Sequence, residues 1–366
     1  MAATGAPVRQ RTDFSLDTDH CEGMKTPPIP ARDIVVIGTS TGGVDALRQV
    51  IAGLTSGFKP AVLIVMHIGA HDSILPSLLA HTSVLPVREA RHGDLVEAGR
   101  VLVAPPDLHL TMVRDGARCS VVLARTTKEN HTRPAIDPLF RAAAAAFGAR
   151  AIGVILTGAM DDGTAGLAAI KACGGIAVVQ DPSEALAPSM PSSAIDNVAV
   201  DHVLRLDEIP RALLRLAEAD AQGGWAADAA PPIPAWVAAE NRFGMEGVEM
   251  HRLEELAKPS TFTCPECHGT LWELNDQQPR RFRCHTGHAY SERNLVALQG
   301  ELVEGSIWSA VRALQEKEML LRRMADDALR NKHIAASLDY SAQARLAQRS
   351  AEVLRGLITA KTDASA

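Results

Sequence analysis

The sequence predicts an α/β fold in which a doubly wound, mainly parallel sheet carries helices on both faces. Two observations support this prediction. Short apolar runs rich in β-branched residues recur through the first half of the chain, and such runs are typical of strands buried on both faces. Stretches with the apolar spacing of helices lie between these runs, and strands that alternate with helices favour a parallel sheet.

The elements of this sheet follow one another from residue 33. Strands are predicted at 33–37, 61–66, 100–104, 119–124, 151–156 and 176–179, and helices at 44–54, 74–80, 138–147, 164–173 and 206–217. The strand signals lie closer together between 95 and 124, with Asp115-Gly116 between two of them. We therefore expect a β-hairpin to interrupt the parallel order there.

The rest of the chain divides by composition. Residues 1–31 are polar and end in a proline-rich stretch, which predicts a disordered leader before a domain over 32–218. Alanine, glycine and proline are frequent from residue 219, so we expect a linker over 219–258. A cysteine-containing module over 259–293 follows, and 294–362 are predicted to form a hairpin of two antiparallel helices. The apolar residues that indicate these helices are Ile307, Val311, Leu314 and Leu321, then Leu346, Val353 and Leu357.

Composition and charge exclude several classes of protein. The chain has 366 residues, of which 46% are hydrophobic and 22% charged, and its formal net charge is −6. This balance is typical of a globular protein and disfavours a dedicated nucleic-acid binder. No apolar run reaches the roughly 20 residues of a membrane span, and the N-terminus lacks the apolar core of a signal peptide. We expect a cytoplasmic protein that neither spans a membrane nor binds nucleic acid.

A serine lies just after the first predicted strand, in the segment IGTSTGG over 37–43. In open α/β sheets, ligands bind at this carboxyl edge of the strands. The segment matches neither of the two common glycine-rich phosphate-binding motifs, nor the G-x-S-x-G turn of α/β-hydrolases. Ser40 is therefore either a cap of the following helix or a nucleophile, and a nucleophilic serine needs a base and an orienting acid.

Two further strand ends offer these partners. His67 directly follows the strand at 61–66, and Asp162 follows the strand at 151–156 across a short turn. Each residue alone also has a structural interpretation, as a hydrogen-bonded histidine or as a helix cap. Together with Ser40 they favour a Ser–His–Asp triad at one edge of the sheet, in a chain order that differs from the three familiar ones.

Several segments together resemble the catalytic domain of CheB, the chemotaxis protein-glutamate methylesterase of bacteria. They are IGTSTGG (37–43), the strand-ending His67, RPAID (133–137), LTGAMDDG (156–163) and Met190-Pro191, and they occur in the family's order over roughly 32–215. The resemblance implies a serine esterase that releases methanol from glutamate methyl esters of methylated chemoreceptor-like proteins through an acyl-enzyme. It also implies glutamine deamidation, which some members perform, and no cofactor for catalysis.

The resemblance further implies roles for individual residues. The positions that match the family's triad are Ser40 as nucleophile, His67 as base and Asp162 as orienting acid. Thr41 matches a family position beside the nucleophile, and Met160 and Arg133 are further candidates for substrate contact. The guanidinium of Arg133, in a loop before a helix, suits an acidic receptor segment, and an exposed structural ion pair is the alternative interpretation. The chain departs from the family at Ala159, where the family often has methionine, and at Ile68-Gly69, where it commonly has Met-Pro.

Three functions remain open from the sequence. The intact triad favours the methylesterase. The departures leave open a non-catalytic signalling scaffold that uses the same fold and binds partners through its C-terminal module. Hydrolysis of generic esters or amides is the third function. Full-length members of the family carry an N-terminal receiver domain that gates activity, and a leader of about 30 residues is too short for one, so we expect no control by an internal receiver.

A second candidate site lies in the module over 259–293. Its four candidate ligands are Cys264, Cys267, Cys284 and His288. They form a C-x-x-C and a C-x-x-x-H pair around two short predicted strands, which is typical of a zinc-ribbon-like module, and four protein ligands predict a structural zinc. His285 is an alternative fourth ligand, and free thiols without a metal are the alternative interpretation.

Other charged residues carry weaker predictions. A short basic patch in the same module resembles that of zinc ribbons that bind nucleic acid, a function that the acidic chain disfavours. The patch consists of Arg280, Arg281 and Arg283. Five histidines without a partner pattern are expected at the surface or at caps, namely His71, His81, His92, His109 and His131.

Overall fold

The computed structural model describes residues 32–69, 71–218, 232–246, 250–275 and 279–363. The predicted leader over 1–31 and the first part of the predicted linker, 219–231, lie outside the described residues.

Nine strands lie within the described residues 32–69 and 71–218. They are β1 (Ile34–Thr39), β2 (Ala61–Met66), β3 (Val87–Glu89), β4 (Val101–Val103), β5 (His109–Asp115), β6 (Arg118–Ala124), β7 (Ala151–Ile155), β8 (Ile176–Gln180) and β9 (His202–Leu204). Seven of them form one parallel sheet in the order β3-β4-β2-β1-β7-β8-β9. The chain leaves β1 toward β2 on one side and later returns to β7 on the other, which confirms the doubly wound fold.

Helices cover both faces of this sheet. They are α1 (Gly43–Ala52), α2 (Leu75–Ala80), α3 (Ile136–Phe147), α4 (Thr164–Ala172), α5 (Ser189–Asn197) and α6 (Ile209–Glu218). Successive residues of a strand point to opposite faces. Ile34 and Val36 accordingly face the core formed with α3 and α4, whereas Val35 and Ile37 face the core formed with α1 and α6.

The predicted hairpin is present but does not interrupt the main sheet. The strands β5 and β6 pair antiparallel as a separate two-stranded sheet. Leu110 and Met112 of β5 join the core that contains α3. The hairpin is therefore packed beside the parallel sheet, and β4, which precedes it, remains a parallel member of that sheet.

Helical structure lies inside the predicted linker over 219–258. A helix α7 (Ala235–Glu246) and a helix α8 (Met250–Leu256) occupy its described part. Val237 of α7 is fully buried in the core that contains α3. The linker prediction rested on composition, and burial of one face of α7 outweighs that composition.

The cysteine-containing module is a four-stranded antiparallel sheet. Its strands are β10 (Ala257–Thr263), β11 (Thr270–Leu274), β12 (Arg281–Cys284) and β13 (Ala289–Ser291), paired in chain order. The two predicted strands correspond to β11 and β12. A small apolar core around Leu271, Phe282 and Tyr290 joins this sheet to the start of the next helix.

Two long helices complete the described chain, α9 (Glu292–Arg330) and α10 (Ile334–Asp363). They pack against each other as the predicted helical hairpin. The predicted stripe of α9 contributes Val311 and Leu321 to the contact, but α10 buries Ala344, Ala347 and Ala351 instead of its leucines. The second predicted stripe is exposed, because Leu346, Val353 and Leu357 are about 60% exposed or more. Within the described ranges, no helix combines the length and hydropathy that a bilayer crossing requires.

Candidate active site and metal cluster

The turn after β1 presents Ser40. The N–H of Ser40 donates to the carbonyl of Thr157 (3.0 Å), and the N–H of Gly43 donates to the carbonyl of Ser40 (2.9 Å). Gly42 has a φ of 80°, a left-handed conformation that glycine adopts without strain. Gly42 is the N-cap residue of α1, and no side chain caps this helix. Ser40 is therefore not the helix cap that its position in the sequence also allowed.

His67 joins the end of β2 to this turn. Its Nδ1 lies 3.1 Å from Ser40 Oγ, and its Nε2 lies 2.7 Å from Asp162 Oδ2. The imidazole is 15% exposed, whereas the carboxylate of Asp162 is 2% exposed. An ionised carboxylate accepts only, so Nε2 carries the proton that faces Asp162. Nδ1 is then the acceptor for the hydroxyl of Ser40.

Asp162 accepts hydrogen bonds from several parts of the chain. Besides His67, the donors are the N–H groups of Ile136 (2.6 Å) and Asp137 (3.3 Å) and the amide of Asn130 (2.9 Å). Burial alone raises the pKa of Asp162, but the hydrogen bond and charge of His67 and the other donors outweigh burial and lower the pKa below its ordinary 3.8. The carboxylate is ionised at neutral pH and can stabilise an imidazolium.

The position of Asp162 also decides between its two interpretations from the sequence. Gly163, with a φ of 91°, is the N-cap residue of α4, and no side chain caps that helix. The carboxylate lies instead at the first turn of α3, where N–H groups without intrahelical partners and the positive end of the helix dipole face it. Asp162 therefore belongs to the strand-end cluster and does not cap its own helix.

A second buried carboxyl, Asp137, lies beside Asp162. Its Oδ1 accepts from the N–H of Gly166 (2.6 Å), and its Oδ2 accepts from the amide of Asn130 (3.0 Å). Burial, and after it the negative charge of Asp162, raises the pKa of Asp137 to about 7. Two neighbouring buried carboxyls disfavour simultaneous ionisation. Near neutral pH, Asp137 therefore holds a proton in a large fraction of molecules.

Two of the three predicted substrate-contact residues lie in the turns that carry the triad. Thr41 is exposed and directly follows Ser40. Met160 is half-buried in the turn before Asp162 and has a φ of 66°, an uncommon conformation for a residue with a side chain. Thr41 is thus adjacent to Ser40 in the chain, and Met160 is two residues before Asp162.

The third predicted residue, Arg133, is bound within the protein. Its guanidinium contacts the carboxylate of Asp107 at 2.5 and 2.9 Å and also donates to the carbonyl of Thr126. The side chain is 15% exposed. Arg133 fastens the loop before α3 to the loop before β5, which is a structural contact and leaves little of its guanidinium for a substrate.

The four predicted metal ligands converge. The ligand atoms of Cys264, Cys267, Cys284 and His288 all lie within 4.8 Å of one another. His288 Nδ1 is 3.8 Å from Cys264 Sγ and 3.6 Å from Cys284 Sγ, and Cys267 Sγ is 3.6 Å from Cys284 Sγ. A tetrahedral zinc with bonds of about 2.3 Å to sulfur separates neighbouring sulfurs by about 3.8 Å. The cluster therefore has the size and the donor set of a zinc site.

His285 is placed away from this cluster. Its side chain is exposed, and its ring lies over Gly269, where an added Cβ would come within 2.3 Å of a ring atom. His288 instead turns inward after Gly287, and its outer nitrogen lies 3.2 Å from Glu266 Oε2. A carboxylate on the second nitrogen is a common support for a histidine that binds metal.

Charged residues from three parts of the chain form a buried ion cluster. It comprises Glu129 before α3, Arg141 of α3, Glu240 of α7, and Arg281 and Arg283 of β12, each at most 2% exposed. Glu129 accepts from Arg141 at 2.7 and 2.8 Å, from Arg281 at 3.1 Å and from Arg283 at 2.9 Å. Glu240 forms a further ion pair with Arg281.

This cluster corrects the prediction of a basic surface patch. Arg281 and Arg283 are buried against carboxylates, and only Arg280 of the three is exposed. Because side chains alternate along a strand, Arg281 and Arg283 lie on the same face of β12. That face docks onto the first domain. His109 also departs from its prediction, because it is buried and donates to the carbonyl of Thr127 (3.0 Å).

Sequence reasoning missed Asn130, Asp161 and Ser291. Asn130 contacts both Asp162 and Ser291, and Ser291 contacts Asp161. These residues carry no recognisable spacing, since 161 residues separate Asn130 from Ser291. The signals were that Asn130 lies a few residues before the RPAID segment and that Asp161 lies within LTGAMDDG, since both segments were quoted for the resemblance.

Comparisons with known proteins agree on one family. A profile described as CheB methylesterase matches residues 35–213. A putative protein-glutamate methylesterase/protein-glutamine glutaminase of Leptospira interrogans is 40% identical over 185 residues, which are 50% of this chain and 94% of that protein. The crystal structure of the Thermotoga maritima CheB methylesterase catalytic domain matches with a TM-score of 0.50 and 35% identity, over 51% of this chain and 99% of that one.

Longer relatives match over part of their length. A protein-glutamate methylesterase/protein-glutamine glutaminase 2 of Anaeromyxobacter dehalogenans is 43% identical over 204 residues, which are 54% of this chain and 59% of that protein. A protein of Pyrococcus abyssi with the corresponding name is 36% identical and is covered over 54% of its length. The chain thus spans little more than half the length of these two relatives.

Proposed function

The chain belongs to the CheB methylesterase family, and from that premise we propose that it is a serine esterase that hydrolyses glutamate methyl esters on chemoreceptor-like proteins. The observation that carries the proposal is the continuous hydrogen-bonded path from Ser40 through His67 to the buried Asp162. A non-catalytic scaffold has no physical need for this arrangement at the carboxyl edge of the sheet.

The geometry supports a two-step mechanism. His67 Nδ1 takes the hydroxyl proton of Ser40 while Ser40 Oγ attacks the ester carbonyl, and Asp162 stabilises the imidazolium through Nε2. The proton then passes to the methoxy oxygen as the ester bond breaks, so methanol leaves and an acyl-enzyme remains. Water, deprotonated by His67, adds to the acyl carbonyl, and the proton returns to Ser40 Oγ when the glutamate carboxylate is released.

Backbone N–H groups of the two turns are the candidates for the oxyanion hole. The N–H of Ser40 is already bonded to Thr157, and that of Gly43 to Ser40. Among the described residues, the N–H groups of Thr41 and Gly42 in the first turn donate to no backbone carbonyl, and neither do those of Ala159 and Met160 in the second. We therefore assign oxyanion binding to these turns, with each donor typically contributing about 3 kcal/mol.

The names of several relatives include a second activity. Several are called protein-glutamine glutaminases as well as methylesterases. Attack of Ser40 on a glutamine side-chain amide forms the same acyl-enzyme and releases ammonia in place of methanol. We include this deamidation in the proposal, with methylated or unmodified chemoreceptor-like proteins in the cytoplasm as substrates and without a cofactor in either reaction.

A structural zinc completes the proposal. Cys264, Cys267, Cys284 and His288 would hold the ion and occupy its four positions, which leaves none for a substrate. Glu266 would fix the ring of His288. The metal would keep the small module folded, since a sheet of this size has little apolar core of its own.

The test is methanol release from methylated chemoreceptor membranes. We expect the native chain to release methanol and the Ser40→Ala variant to lose on the order of a million-fold in turnover, because the nucleophile acts as a unit with its base. Ser77→Ala is a matched control, since Ser77 lies at an exposed position of α2. Equal, negligible release by the native chain and by Ser40→Ala, from receptors known to be methylated, would contradict the proposal.

A simple ester separates the receptor esterase from a general hydrolase. We expect the native chain to act on methylated receptor peptides far faster than on a small acetate ester at the same concentration. Comparable kcat/KM values for the two substrates would favour the general hydrolase, because recognition would then not extend beyond the ester group.

A further inference from the structure

The contacts of Asn130 connect the catalytic acid to the C-terminal module. Asn130 is 4% exposed and adopts a φ of 48°, which asparagine tolerates better than most residues. Its backbone N–H donates to the carbonyl of Ala289 (2.8 Å), and its Oδ1 accepts from the N–H of Ser291 (3.0 Å). Both the backbone and the side chain of Asn130 are therefore bound to β13.

The other end of the same side chain holds carboxylates. The Nδ2 group of Asn130 donates to Asp162 Oδ1 (2.9 Å) and to Asp137 Oδ2 (3.0 Å). An asparagine amide offers two N–H donors and one oxygen acceptor. If the amide were reversed, its oxygen would face two carboxylate oxygens and its NH2 would face the N–H of Ser291. The Ser291 N–H and the two carboxylates thus require the same orientation of the amide, and the Ser291 N–H holds its oxygen.

A second contact fastens the turn of the catalytic acid. Asp161, directly before Asp162, is 4% exposed, and its Oδ1 accepts from the hydroxyl of Ser291 (2.9 Å) and from the amide of Asn294. The hydroxyl of Ser291 in turn accepts from the N–H of Asn294 (3.1 Å) and caps α9. The first residues of α9 and the last residue of β13 therefore hold the turn that carries Asp162.

We propose that Asn130 is a positioning residue of the esterase and that the C-terminal module, through the N–H of Ser291, orients it. The module is then a part of the catalytic centre, and docking of β13 helps to hold Asp162 in its place opposite His67. This inference rests on the proposed esterase function. The buried ion cluster supports it, because Arg281 and Arg283 of the module bind Glu129, the residue directly before Asn130.

The test measures the reactivity of Ser40 separately from the amount of folded protein. A fluorophosphonate probe is attacked by a triad serine with loss of fluoride, and its labelling gives two numbers, the final fraction of labelled chains and the rate constant of labelling. Loss of folded protein lowers the first number. Misplacement of Asp162 lowers the second, and it lowers kcat for methyl esters while KM stays unchanged, because neither Asn130 nor Asp162 is placed against the substrate.

Two pairs of variants isolate the two contacts. For Asn130→Ala we expect the same final labelling as in the native chain and a rate constant lower by roughly 10- to 100-fold, since a hydrogen bond to a charged group is lost. Ser291 has a φ of −70°, which proline also adopts, so Ser291→Pro fits the backbone there. Ser291→Pro removes both the hydroxyl and the N–H that orients Asn130, whereas Ser291→Ala removes the hydroxyl alone and keeps the N–H. We expect Ser291→Pro to be labelled several-fold more slowly than Ser291→Ala.

The outcomes are distinct. A native rate constant in Asn130→Ala, or a decrease confined to the final labelled fraction, overturns the positioning role of Asn130. Equal rate constants in Ser291→Pro and Ser291→Ala overturn the role of the C-terminal module. Ser40→Ala serves as the blank for labelling. If the native chain is labelled no more than this blank, the proposed esterase function is wrong, and this result can be told apart from the two outcomes above.

Discussion

Asp162 illustrates how a single residue acquires its chemistry from its neighbours. Its two oxygens accept from His67, from the first turn of α3 and from Asn130, so an ionised carboxylate is maintained in a site that is almost closed to water. The adjacent Asp137 has the opposite property, since burial and the charge of Asp162 raise its pKa to about 7. Two carboxyls in one pocket thus differ in protonation near neutral pH.

The raised pKa of Asp137 predicts a pH dependence of stability. Its pKa is about 7 in the folded chain and 3.8 when unperturbed, so its stabilising contribution is complete below pH 3.8 and is lost as the pH rises through 7. We expect the free energy of unfolding of the native chain, relative to Asp137→Asn, to fall by up to about 1 kcal/mol per pH unit between pH 5 and 7. Urea unfolding at pH 5, 6, 7 and 8 measures this difference.

A control for that experiment is Asp115→Asn, which changes an exposed carboxyl in the turn of the β5–β6 hairpin. We expect its unfolding free energy to run parallel to that of the native chain across the same pH range. Parallel curves for Asp137→Asn as well would contradict the assignment of a raised pKa to Asp137.

At the scale of single residues, the sequence predicts the triad but not the residues that hold Asp162 in place. Ser40, His67 and Asp162 each follow a recognisable buried strand, and the ends of parallel strands meet at one edge of a sheet, so their proximity could be expected. Asn130 lies in a loop without periodicity and meets Ser291 only after two separate parts of the chain dock. No local pattern encodes such a contact.

The elements differ in how far their sequences reveal them. Strands β1, β2, β7 and β8 are continuous apolar runs and were predicted, whereas β3 and β9 have three residues each and are only partly buried. Helix α7 was hidden in a stretch whose composition is typical of linkers, and only the docking of Val237 against the core of α3 explains it. For α7, burial by a tertiary partner outweighed local propensity, whereas β3 and β9 are too short to leave a recognisable pattern.

The buried ion cluster between the first domain and β12 predicts a large effect of neutralising one charge. We expect Glu129→Gln to lower the free energy of unfolding by about 3–5 kcal/mol, because Arg141, Arg281 and Arg283 would lose a buried counter-charge. Chemical denaturation of the variant and the native chain measures this loss.

The same substitution at a half-exposed ion pair is the matched control. Glu273 lies 3.6 Å from Arg280 and is 45% exposed, so Glu273→Gln is expected to change stability by less than about 1 kcal/mol. A loss in Glu129→Gln as small as that in Glu273→Gln would mean that the cluster contributes little to docking.

On the scale of the whole molecule, the C-terminal module is joined to the family domain by buried polar contacts. The family profile ends at residue 213, and the described chain continues through α7, a four-stranded sheet and two long helices. Glu129, Asn130 and Asp161 of the first domain are all bound by residues beyond 280. If the module undocked, these three groups would lose their hydrogen-bond partners, and they would then be either buried without a partner or exposed to water.

Because the module is docked through these buried contacts, we expect metal removal to destabilise the α/β domain as well as the module. We expect a strong chelator to make the thiols of Cys264, Cys267 and Cys284 reactive toward a thiol reagent and to lower the melting temperature of the α/β domain together with that of the module. Scanning calorimetry and thiol titration with and without chelator measure the two effects.

A Cys264→Ser variant provides the control, since we expect its melting temperature to be low already and insensitive to chelator. Three newly reactive thiols without any change in the melting of the α/β domain would contradict the coupling between metal, module and domain.

The long separation between partners has a consequence for biosynthesis. Asp161 and Asn294, which hydrogen-bond in the finished protein, are 133 residues apart in the chain. At a translation rate of 5–20 residues per second, the turn that carries Asp161 and Asp162 leaves the ribosome roughly 7 to 27 s before the segment that binds it. On the proposed role of Asn130, a nascent chain that already contains Ser40, His67 and Asp162 would keep Ser40 slow to react until the residues around Ser291 and Asn294 have been made and have docked.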